Sequence, residues 1–253
     1  MSSGDNAYII DHKDNTSIIV RGDNASVIDR RNNTSIVDRG YITSTIIRRG
    51  NAYIFHRWDN ASIIDRGDNT SSIDHGDNAY IIDRGDITFI IEGGNITSTI
   101  VGAILLLLNV GTMLLLLIVK DHGANTCIID HGDTTYIIVR GTNNLLWTVA
   151  NTSIIDHVNN AYIIDRGENT SIIDRGANVS IINRGDITST IVGGDNTSII
   201  DRGDNIFSID RGDNTSIIDR GDNTSIIDRG DNTSIIDPGD NTSIIDRGDN
   251  ILL

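Results

Sequence analysis

The chain of 253 residues is poor in the side chains that usually shape a globular interior: Phe, Trp and Tyr make up 4% of it, with two Met and one Pro. A core of ordinary packing density mixes many side-chain sizes, so one varied globular core is not expected. Cys127 is the only cysteine, which excludes an internal disulfide. Positive charge is also short, 20 Lys and Arg against 35 Asp and Glu, for a formal net charge of −15. That balance disfavours nucleic acid and anionic lipid as partners. Met1 to Asp11 is polar and shows no apolar stretch of the kind a secretory leader needs.

What the chain does have is a tandem nine-residue unit, close to Gly-Asp-Asn-Thr-Ser-Ile-Ile-Asp-Arg. Residues 211–219, 220–228 and 229–237 are identical copies, and Pro238 takes the Arg place in the next. Asn keeps the phase at Asn6, Asn15, Asn24 and Asn33, again from Asn51 to Asn78, and from Asn151 to Asn250. Departures follow a pattern. Ala25 and Ala61 replace Thr, Tyr8, Tyr80 and Tyr162 replace Ser, and His12, His75, His122, His131 and His157 replace Arg. One base change in a suitable codon accounts for each, so the array reads as a duplicated coding unit that has drifted. The Leu-rich stretch Ile104 to Lys120 keeps the same period. With suitable codons it is the same unit in a shifted frame, which the coding DNA decides.

Gly, Asp and Asn supply turn chemistry at one end of each unit, and Thr-Ser-Ile-Ile supplies strand chemistry at the other. A Gly, an Asn and several β-branched residues per unit disfavour helix. The pattern predicts a strand of about five residues and a turn of about four per unit. The expected fold is an all-β array of tandem nonapeptide repeats, stacked like a β-solenoid with an eighteen-residue coil. An antiparallel meander is the alternative topology. Partial disorder or self-association is the alternative to a self-standing fold, because adjacent Ile residues point to opposite faces and only one can enter a narrow core. In-register Ile and Asn ladders also suit cross-β stacking, which the Asp and Arg of each unit oppose.

Thr99 to Val119 carries no charge and is mostly Leu, Ile and Val. About 20 apolar residues span a bilayer as a helix, so this segment is predicted to be a single transmembrane helix with the lipid bilayer as its partner. A buried core helix or a long strand is the alternative. Lys120 after it and Arg84 before it point to a cytosolic C-terminal side. The expected organisation is a repeat region over 1–98, the span over 99–119, divergent repeats over 120–150 and a second repeat region over 151–253.

Arg-Gly-Asp falls across the unit junctions, as at Arg211-Gly212-Asp213, Arg220-Gly221-Asp222 and Arg229-Gly230-Asp231. The tripeptide resembles the cell-adhesion ligand recognised by integrins, although it comes with the repeat. Asn-x-Ser/Thr sequons such as Asn169 and Asn214 come with it too. The period resembles that of the calcium-binding nonapeptides of RTX proteins. Only the period matches, because each unit has one Gly directly followed by Asp, so calcium is not expected. The histidines read as variants of the Arg position rather than metal ligands, with His56 in a divergent unit beside Trp58. No nucleophile-base arrangement or phosphate loop stands out. A uniform array does not supply the unequal environments that catalysis needs. The expected function is therefore a non-enzymatic, membrane-associated repeat protein with self-associating arrays and no cofactor, metal, nucleic acid or small-molecule substrate. The alternatives are a minisatellite-derived reading frame without selected activity, and an extracellular adhesion or matrix protein using its Arg-Gly-Asp turns.

Overall fold

The computed structural model describes residues 6–252 except 12, 22, 31–32, 40, 49, 58–59, 85, 95, 102–103 and 120–124. The chain forms two compact units, Met1–Lys120 and Asp121–Leu253. Each is a β-solenoid, with about 12 turns in all and no helix among the described residues.

In both units most repeats give one strand of six residues, from the Asn to the Asp, and a three-residue corner. The fifteen-residue strands Thr134–Thr148 and Asn151–Asp165 each span two repeats and pair with each other in parallel; successive six-residue strands do not pair with each other. Each pairs in parallel with the strand after next, so Asn6 lies beside Asn24 and Asn60 beside Asn78 in the first unit. In the second unit Asn196 lies beside Asn214 and Asn214 beside Asn232. The coil is therefore two repeats long, and every side chain meets its equivalent in the next coil. Two coils are one residue shorter: Ile87 lies beside Ile104, and Thr134 beside Asn151. The missing residue comes from a corner, since only Gly102–Ala103 and Val149–Ala150 separate their flanking strands. Strand register survives because the deletion does not touch a strand.

Burial alternates along each strand with the two-residue period of a pleated sheet. In Asn214–Asp219 the Thr, the first Ile and the Asp point inward, and the Asn and Ser point out. The interior is thus a stack of Thr, Ile and Asp columns rather than an Ile core with polar corners. Ile181, Ile199, Ile217 and Ile235 form one such column in the second unit.

The transmembrane helix expected over Thr99–Val119 is not formed. That stretch lies in the strands Ile96–Val101, Ile104–Asn109 and Met113–Val119. Leu105, Leu107, Leu114, Leu116 and Ile118 are buried, while Leu106 and Leu115 face outward. The alternation belongs to the same pleat as the rest of the array. Preserved period explains why. Asn109-Val110-Gly111 occupies the place of Asp-Arg-Gly, with Asn109 buried and its Oδ1 accepting the Gly111 N–H at 3.1 Å. The preceding strand Ile87–Glu92 offers an edge in register for the Leu residues to join. Among the described residues no helix is long and apolar enough to cross a membrane. The single-pass helical membrane localisation is corrected accordingly, and Lys120, on which its orientation rested, lies outside the described residues.

Candidate functional site

The most elaborated polar feature of the repeat is its corner. The buried Asp that ends a strand holds two partners at once. Asp210 Oδ1 accepts the Gly212 N–H at 2.7 Å, and Oδ2 accepts the Thr215 hydroxyl at 2.9 Å. Asp83 takes the Thr88 hydroxyl at 2.6 Å, and the same Thr-to-Asp bond joins Thr70 to Asp65, Thr170 to Asp165 and Thr233 to Asp228. The backbone half recurs from Gly76 on Asp74 to Gly248 on Asp246. A carboxylate that bonds the chain two and five residues on fixes the path from one sheet to the other. Local side-chain to backbone bonding of this kind is the known preference of Asp in turns.

Burial makes these carboxyls reluctant to ionise. Desolvation, with smaller contributions from neighbouring Asp residues, lifts Asp65 and Asp201 to about 6. Asp156 reaches about 6 through desolvation alone, and Asp174 about 7 through desolvation and then the Asp156 charge. Asp210 and Asp219 are raised for the same first cause. The columns are interrupted by neutral side chains: Ile47 separates Asp29 from Asp65, and Val192 separates Asp174 from Asp210. His56 takes the Asp position between Asp38 and Asp74, with Nδ1 3.5 Å from Asp74 Oδ1.

The corner also places the adhesion-like tripeptides. In Arg211-Gly212-Asp213, Arg220-Gly221-Asp222 and Arg229-Gly230-Asp231 the Arg and Asp are exposed and the Gly is buried. The Gly is required by close approach. A Cβ on Gly212, Gly221 or Gly230 would overlap the carbonyl oxygen of Gly194, Gly203 or Gly212 in the coil before. These glycines therefore stack backbone on backbone, and the charged residues line the corner edges.

Outside, the Asn residues form exposed ladders. Asn196 Nδ2 donates to Asn178 Oδ1 at 2.8 Å, and Asn214 Nδ2 to Asn196 Oδ1 at 3.1 Å. Asn69 does the same to Asn51 at 2.8 Å. The sequon residue Asn169 belongs to such a ladder, donating to Asn151 at 3.1 Å. Of the histidines in the Arg position, His75 meets Phe55 edge-on at 6.3 Å and His131 lies 6.3 Å from Trp147, whose ring also carries the Arg166 guanidinium at 5.8 Å. His157 is held below the ordinary imidazole value by burial, then by Arg175 and Arg140. His12 and His122 lie outside the described residues. Cys127 is a half-buried free thiol, pushed up by desolvation. Among the described residues no group of three or more His, Cys, Asp or Glu is placed to hold a metal ion.

The sequence pattern assigns the Asp of Gly-Asp-Asn to the turn and gives the strand-ending Asp only a role against cross-β stacking, so the burial of the latter was not expected. The signal was present: Thr, Ile and Asp stand at alternate positions, so a strand that buries the first two buries the third. Compared with protein-family models, with curated proteins and with solved structures, the chain matches none of them.

Proposed function

We propose that this protein is a non-enzymatic scaffold that works through its repeated outer surface and associates with copies of itself. The observation that carries the reading is the use made of the inward polar groups. At Asp210, and in the same way at Asp65 and Asp228, both oxygens of the buried carboxylate serve to close its own corner. Carboxylates engaged in this way are not free to converge on a substrate as a catalytic centre requires.

Self-association is supported by the outer surface of the Leu-rich coils. The unit places Asn and Ser at its outward strand positions, but here Leu106, Met113 and Leu115 stand there exposed, with Val110 exposed at the corner between them. Leu106 and Leu115 lie on strands of different ladders, so both ladders carry exposed apolar side chains in these coils, and such side chains favour association. Sedimentation velocity over a concentration series tests the proposal, with the double variant Leu106→Ser/Leu115→Ser restoring the residue usual at those places. The full chain is expected to associate with rising concentration and the variant to remain smaller. A chain that stays monomeric throughout, or a variant that associates equally, contradicts it.

A second reading, adhesion, is favoured by the exposure of both charged residues in Arg220-Gly221-Asp222 and its equivalents. Cell attachment to the full chain, compared with Asp213→Glu/Asp222→Glu/Asp231→Glu, tests it. Attachment lost in the variant supports the reading, and equal attachment rejects it.

A further inference from the structure

Two shallow troughs lie on outer sheet faces, one within each unit. Both occupy the lane between the Asn column and the Ser column. In the first unit a trough of about 360 Å³ is bordered by Asn51, Tyr53, Asn69, Ser71, Ile87 and Phe89. In the second a trough of about 310 Å³ is bordered by Tyr162, Asn178, Ser180, Asn196, Ser198 and Asn214. Each begins at a tyrosine standing where the repeat has Ser, and these rings are 62% exposed at Tyr53 and 59% at Tyr162. Among the described residues no charged side chain borders either trough, in a chain of net charge −15.

The Asn ladders leave hydrogen-bonding capacity in these lanes. Asn196 donates one N–H to Asn178 and accepts one bond from Asn214. A primary amide has two N–H donors and two lone pairs, so in the second-unit lane one donor and one acceptor of Asn196 remain free of the ladder, while in the first unit Ile87 ends the amide column after Asn69. Coils stack about 4.8 Å apart, and in the second-unit lane the Asn178, Asn196 and Asn214 amides repeat at that interval. Tyr53 and Phe89 share one column with Ser71 between them, two coils and about 10 Å apart.

We propose that these lanes bind a neutral, linear polysaccharide lying along the stacking direction. A sugar ring sets an apolar C–H face against an aromatic ring and hydroxyls against amides and serines. A linear chain of such rings meets a surface that repeats as it does. The lack of charge in the lanes fits an uncharged ligand, and the net negative charge of the chain opposes a polyanion. An extended peptide is less suited, because the backbone groups it would pair with are already used by the neighbouring coils.

The test is calorimetric titration of the full chain with cellohexaose, beside a hexagalacturonate of similar length. Tyr53→Ser and Tyr162→Ser remove the platforms while restoring the side chain of Ser71 and Ser180 in the adjacent coils, and far-UV circular dichroism checks that the array is kept. Cellohexaose is expected to bind with an affinity indifferent to salt, weakened about three- to ten-fold at the trough each substitution alters and at both troughs in the double variant, with hexagalacturonate silent. No binding of cellohexaose, equal binding by the folded double variant, or stronger binding of the acidic chain overturns the proposal.

Discussion

Val179 stands where Asp174 would find its hydroxyl partner. In complete units the residue five places after the buried Asp is Thr, and at Asp65, Asp210 and Asp228 its hydroxyl bonds Oδ2. Val179 has no hydroxyl, and Asp174 Oδ2 is buried without a hydrogen-bond partner. Asp174 is also lifted to about 7, by desolvation and then by Asp156. The same rule holds at Asp74, where Ala79 takes the Thr position and Oδ2 is again unpartnered.

Val179→Thr is expected to lower the Asp174 pKa, because the new hydroxyl bonds the charged form. It should stabilise the array at pH 8 by about 0.5–1.5 kcal/mol. Carboxyl ¹³C titration and urea unfolding measure the two effects, and an unmoved pKa in a correctly folded variant contradicts the assignment.

Acid should stabilise this protein rather than unfold it. Asp65, Asp156, Asp174 and Asp201 titrate in the folded chain at about 6 to 7, against an ordinary 3.8. Between those values the folded state holds more protons than the unfolded one, so stability falls as pH rises. The contribution is complete below about pH 4 and lost as pH passes through about 6 to 7. Urea midpoints are expected to drop from pH 5 to pH 8, and Asp174→Asn should flatten part of that slope. A midpoint that rises over this range contradicts the buried columns.

Two adjacent glycines should respond oppositely to the same change. A Cβ at Gly193 meets nothing within 4 Å, whereas one at Gly194 would overlap the Gly176 carbonyl oxygen. Gly193→Ala is expected to be neutral to within about 0.5 kcal/mol. Gly194→Ala should cost about 1–3 kcal/mol, as overpacking does. Denaturant midpoints of the two variants compare them directly, and equal midpoints contradict the stacked corners.

The Leu-rich coils carry a similar contrast. Leu116 is fully buried and its neighbour Leu115 is 47% exposed. Leu116→Ala should cost about 2–5 kcal/mol, and Leu115→Ala about 0.5 kcal/mol or less. A helix would not separate adjacent residues so sharply with a two-residue period.

The period, the eighteen-residue coil and the division of each Ile pair between faces were legible because each follows from one unit and the pleat. The fate of Thr99–Val119 was not. Its hydropathy is that of a spanning helix, and only its retained nine-residue period and the edge offered by Ile87–Glu92 make it strand. Hydropathy reports on one segment, while strand pairing depends on a partner elsewhere. The burial of Asp210 and its equivalents was not legible for another reason: a carboxylate is expected in water. Only the short-range bonds to Gly212 and Thr215 make its burial tolerable. The troughs beside Tyr53 and Tyr162 were hidden because they arise between coils.

The parallel stacking itself is tested most directly by paired spin labels. Ser216 and Ser234 are partners in neighbouring coils, whereas Ser225, midway in sequence, belongs to the other ladder. Labels at 216 and 234 are expected to show the strong dipolar broadening of sites about 4.8 Å apart at the backbone, and labels at 216 and 225 much less. Stronger coupling between 216 and 225 would mean that successive strands pair with each other, and the solenoid would be wrong.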